Sequence, residues 1–110
     1  MSFDLCFWSS GEGAPKEIYT DVCEGDDHRL AASQDVLQFR SELLDRWQSF
    51  NDFIEPLEFD VETGEPAHLD RYVLVTVPVS LINELPGILR LARDYGLTVY
   101  DPQSEQKLDE

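Results

Sequence analysis

Apolar residues recur along this chain with two different periods, and the switches between them mark the elements. Val73, Val75, Val77 and Val79 occupy every second position, which places them on one face of an extended strand over 71–79. Leu85, Ile88, Leu89, Ala92 and Tyr95 follow at three- and four-residue spacing, the signature of one helical face. Gly96 ends that helix in the left-handed conformation glycine allows, and Leu97 to Tyr100 form a second strand. A strand and a helix that are each apolar on one side bury those sides against each other, so 69–101 is read as one packed unit.

The same plan can be read upstream. Phe3, Leu5 and Phe7 alternate with Asp4, Cys6 and Trp8, giving a first strand over 3–8. Pro15 suits the first turn of a short helix over about 15–24, with Gly25 just after its end. Ser33 is a good cap for a longer helix over about 34–50, and Asp35 in its first turn favours the helix dipole. Val36, Leu37, Leu43, Leu44, Trp47 and Phe50 form its apolar stripe, with Gln38, Arg40, Glu42, Asp45 and Gln48 opposite. After a break at 51–56, Leu57, Phe59 and Val61 alternate with Glu58, Asp60 and Glu62, which predicts a strand with one acidic side. Pro78 cannot donate to a ladder and belongs at a strand's end or a bulge. Ser80 is the expected cap of the last helix, whose regular part is expected from about Glu84.

Strand, helix or two, strand, strand, helix, strand is the order of the split βαβ motif. The predicted fold is therefore α+β, a ferredoxin-like sandwich with a four-stranded antiparallel sheet in the order 4-1-3-2 and helices on one face. It is expected to occupy 1–103, with 104–110 a flexible acidic tail. The acidic strand then lies at a sheet edge, where charge discourages pairing with other molecules. The face without helices would carry Cys6, Trp8, Tyr72, Leu74, Thr98 and Tyr100. An aromatic patch of that kind marks a contact surface, a face covered by the tail or a loop, or a sheet-on-sheet homodimer.

Composition changes the picture mainly through charge. The 110 residues include 23 acidic and 8 basic side chains, a formal net charge of −15, while 42% hydrophobic residues are enough for an ordinary core. Phosphate backbones and anionic membranes repel such a chain, and a cationic partner attracts it. No apolar run approaches a membrane span, and the first residues lack the basic start and apolar core of a signal peptide, so the expected location is cytoplasmic. Cys6 and Cys23, outside any CxxC pair, are expected to be buried reduced thiols.

Candidate chemistry is sparse. The two histidines, His28 and His68, fall in predicted loops, and neither a nucleophile elbow nor a phosphate loop nor a dinucleotide motif occurs. Glu24 to His28 reads as a solvated loop rather than a metal site, because consecutive ligands rarely point at one ion. No catalytic residue, cofactor or metal is assigned, and the chain is not read as an enzyme.

The opening Met1-Ser2-Phe3-Asp4-Leu5-Cys6-Phe7-Trp8 and the closing Tyr100-Asp101-Pro102-Gln103 resemble a group of small acidic bacterial proteins with an "MSYDLYFW" first strand and a terminal "YDPQ" motif. Pro15 to Tyr19, with Gly25, is similar to their short first helix. Some members resemble immunity proteins encoded beside polymorphic or contact-dependent growth-inhibition toxins. The resemblance implies a protein that binds and neutralises a cognate basic toxin domain, such as a nuclease, with carboxylates standing where phosphates would bind. The expected contact residues are Glu55, Glu58, Asp60, Glu62, Glu65 and Asp70, then Asp26 and Asp27, with Trp8, Tyr72 and Tyr100 as an aromatic hot spot. The alternatives are a homodimeric small-ligand-binding or regulatory domain, and an enzyme built on two carboxylates.

Overall fold

The computed structural model describes residues 2–24, 26–55 and 69–108. The elements are β1 (Ser2–Trp8), α1 (Pro15–Cys23), α2 (Gln34–Arg46), β2 (Ile54–Glu55), β3 (Val73–Pro78), α3 (Leu85–Asp94), β4 (Thr98–Asp101) and β5 (Gln106–Lys107). Among the described residues they form an α+β fold around a five-stranded antiparallel sheet in the order β2-β3-β1-β4-β5. The count corrects the expected four strands. The acidic strand expected over 57–62 lies outside the described residues, and pairing with β3 is made by Ile54 and Glu55. No helix among the described residues is long and apolar enough to cross a membrane.

Alternation sorts the central strands between two cores. Leu5 and Phe7 from β1, with Val73, Val75 and Val77 from β3 and Val99 from β4, face one side. There they meet Val36, Phe39 and Leu43 of α2 and Ile88, Leu91 and Ala92 of α3. Phe39, missing from the stripe read in the sequence, is fully buried and stacks at 4.7 Å and 44° on Phe7. Arg40, read as an outward residue, is buried as well. Ser33 caps α2 as its position predicts, its hydroxyl accepting from the Asp35 amide at 3.2 Å. The helix ends at Arg46 rather than 50. Trp47 leaves helical geometry, and a 3-10 turn over Gln48–Asp52 carries Phe50 into the core. Another 3-10 turn, Val79–Glu84, contains Ser80 and precedes α3, which starts at Leu85 without a side-chain cap. Because the strand stops at Pro78, Val79 drops out of the inward row and is exposed. Gly96 has φ 69° and closes α3, where any side chain would be strained.

The other side of the sheet is covered too, which corrects the expectation of helices on one face. Cys6, Trp8, Tyr72 and Tyr100 are buried beneath Ile18 and Val22 of α1 and Leu30 of the following loop. The helix is short, but its apolar side has nowhere else to go, and three aromatic rings give it a large surface to cover. Arg29 ties that loop back to α1, its Nε donating to Asp21 at 2.6 Å and its Nη1 to the Glu12 carbonyl at 3.3 Å.

Residues 104–108, within the expected tail, form a turn and the short strand β5, which closes a hairpin with β4. Tyr100 pairs with Lys107 and Asp101 with Gln106, while Leu108 donates to the Val99 carbonyl at 2.8 Å and packs on the first core. Polar residues carry no hydrophobic period, so β5 had no signature in the pattern. Asp101 organises the turn by accepting from the Gln103 amide at 3.0 Å and the Ser104 hydroxyl at 2.9 Å. Burial pushes the Asp101 carboxyl up, but these hydrogen bonds prevail and hold it below its ordinary value.

Gln103 itself completes the ladder. Cys6 faces Tyr100 and Phe7 faces Val99, so continuing the register would bring Pro102 opposite Asp4. Proline has no N–H to give, and the Gln103 carboxamide takes over. Its Oε1 accepts from the Asp4 amide at 2.7 Å and its Nε2 donates to the Asp4 carbonyl at 3.1 Å. Gln103→Ala is expected to cost about 0.5–1.5 kcal/mol by removing both hydrogen bonds. A urea midpoint unchanged from wild type would show that the carboxamide is dispensable.

Candidate functional site

The helix α1 covers the second face incompletely. It sits over Cys6, Trp8, Tyr72 and Tyr100, with Tyr19 stacked at 5.5 Å on the Tyr100 ring. Among the described residues the corner of the sheet towards β2 stays open, where Asp4 of β1 stands opposite Thr76 of β3 and Leu74 stands opposite Glu55. A groove of about 510 Å³ results. Leu74 and Thr76 lie along its sheet side, Tyr19 and Cys23 of α1 form one wall, and Asp52, Phe53 and Glu55 another. No lysine, arginine or histidine lines it among the described residues.

Three separate segments bring carboxylates here: Asp4 from β1, Asp52 from the 3-10 turn and Glu55 from β2. Asp4 is the most constrained of them. The Thr76 hydroxyl donates to its Oδ1 at 2.7 Å, and Gln103 pins its backbone from the opposite edge. Asp52 and Glu55 are exposed, and Phe53 beside them keeps 46% of its surface in solvent. The result is a negatively charged, partly aromatic depression beside α1, over the β1–β3 pair.

The polar groups beneath α1 stay neutral. Burial, then the charge of Cys23, pushes the Cys6 thiol far up. Burial, then a hydrogen bond with Cys23, raises Tyr19. Tyr72 is pushed up to about 12 by burial and then by the Glu55 charge. Both cysteines are free thiols, and only Cys6 is buried; Cys23, at the exposed end of α1, departs from the expectation.

The residues singled out from sequence fall in different places. Glu55 lies on the groove. Glu58, Asp60, Glu62 and Glu65 lie outside the described residues. Asp70 is half-buried, and its carbonyl accepts from the Ser33 amide at 2.8 Å. Asp27 is half-buried, 3.9 Å from the Arg71 guanidinium. Asp26 is exposed and accepts from the His28 amide at 3.0 Å, which holds its carboxyl below the usual range. Trp8, Tyr72 and Tyr100 are at most 7% exposed, so the contact surface expected of them is corrected to a core beneath α1. The same helix lies over the sheet face that carries these rings.

Asp26 and His28 do converge with Asp21, their ligand atoms lying within 4.8 Å of one another. The positive charge at this cluster comes from the chain itself, because Arg29 sits 2.6 Å from Asp21. That arrangement locks the loop to α1.

Sequence reasoning missed Asp4, Asp52, Tyr19 and Thr76 as members of one site. Asp4 did carry a signal, since it is the one carboxylate alternating with Cys6 and Trp8 on an otherwise apolar face. Asp52 and Tyr19 carried none, because only folding brings the 3-10 turn and α1 to the same corner. No protein-family model, curated protein or solved structure matches this chain.

Proposed function

We propose that this protein is an immunity-type inhibitor that binds and neutralises a basic bacterial toxin domain, a nuclease, through its acidic surface in the cytoplasm. The observation that carries this reading is the groove between α1 and β2. It gathers Asp4, Asp52 and Glu55 without a basic residue in its described lining, on a chain of net charge −15. A field of that sign speeds encounter with a cationic surface and suppresses wrong partners. Carboxylates held on strands and a 3-10 turn can stand where a nuclease would bind phosphates. We read the core β1–α2–β2–β3–α3–β4 as ferredoxin-like, with α1 and β5 as additions.

The test is co-expression with the C-terminal region of the gene product encoded immediately upstream, scored for toxicity with and without this protein. Rescue of growth is expected, together with a complex whose affinity falls steeply between about 0.05 and 0.5 M salt. A neighbour that is toxic but neither bound nor rescued removes the reading for that partner.

A further inference from the structure

We infer that the groove beside α1 is the seat of one arginine side chain presented by the partner, an inference that rests on the reading of this protein as a binder of basic proteins. Its walls supply both halves of what a guanidinium needs. Asp4, Asp52 and Glu55 offer acceptors from three segments of the chain, and among the described residues none of the three forms an ion pair with the chain's own cations. Lys16, Arg29, Arg46 and Arg71 are engaged elsewhere, with Glu105, Asp21, Glu42 and Asp27 respectively.

Charge alone would not separate arginine from lysine. The lining does, because Tyr19 and the half-exposed Phe53 place aromatic rings beside the carboxylates. A planar, weakly hydrated guanidinium stacks on such faces and bonds carboxylates through two parallel N–H groups. A compact, strongly hydrated ammonium gains less from either. Leu74 provides an apolar surface for the methylene stem. The deepest acceptor is also held ready, since Thr76 fixes the Asp4 carboxylate at 2.7 Å. Ordering lost at folding need not be lost again on binding.

The probe is N-acetyl-arginine amide, titrated into the full-length protein and followed by amide and side-chain NMR shifts. Its neutral citrulline counterpart and the lysine analogue serve as comparisons. Saturable shifts centred on Glu55, Leu74 and Thr76 are expected, with an affinity on the order of millimolar. The citrulline analogue is expected to leave those signals in place, and lysine to bind several-fold more weakly. Asp52→Asn with Glu55→Gln is expected to weaken arginine binding roughly fivefold or more. Both residues are exposed, and the same spectra report whether the fold is kept. Equal binding of citrulline or lysine, or unsaturable shifts scattered over the acidic surface, overturns the inference. The titration needs no toxin. A silent titration beside successful rescue removes the arginine seat alone, and arginine binding without rescue removes the inhibitor reading alone.

Discussion

Val22→Asp is expected to destabilise the protein by about 3–5 kcal/mol, close to the whole stability margin of a small domain. Val22 is 3% exposed and packs with Ile18 and Leu30 on Cys6, Trp8, Tyr72 and Tyr100. A carboxylate at that position would sit against three aromatic rings and a buried thiol. The helix would have to lift, or the acid would have to stay protonated. Both routes should lower the urea midpoint, and a lifted helix also lets water reach Trp8 and shifts tryptophan emission to the red. The substitution also decides between two architectures. On an open second face, Val22 would be a surface residue, and the change would be worth only a few tenths of a kcal/mol. A silent Val22→Asp would therefore refute α1 as a structural layer.

Reversing Asp52 and Glu55 together to lysine is expected to weaken the complex with the basic toxin about a hundredfold or more at low salt. Two attractive charges become repulsive on one wall of the groove, and the loss should shrink as salt rises. Thermal stability should change little, because both side chains are exposed and neither forms a described ion pair. Full affinity in the double variant would place the interface away from this corner. The measurement is a titration of wild-type and variant protein against the same toxin domain at two ionic strengths.

The aromatic residues show how far a pattern read along the chain can reach. Alternation placed Trp8, Tyr72 and Tyr100 on one face of the sheet, and they do share it, with Trp8 and Tyr100 rings 6.3 Å apart. What alternation could not tell is what lies over that face. The short helix over 15–24 was legible from Pro15, Ile18 and Val22, yet a helix carries no label for the layer it joins. Two longer helices fill one side of the sheet, so α1 reaches a buried position only by crossing to the other.

The sequence by itself determined the elements whose signals are local. Those are the alternating strands β1, β3 and β4, the capped helix at Ser33 and the stop at Gly96. Each follows from a period or a backbone preference that neighbouring residues express without outside help. Charge was equally legible, because it is a sum. Tertiary structure alone decided the side taken by α1, the pairing of β5 and the convergence of Asp4, Asp52 and Glu55. Those are contacts between segments far apart in sequence, chosen by which apolar surfaces remained uncovered and which backbone groups still needed partners.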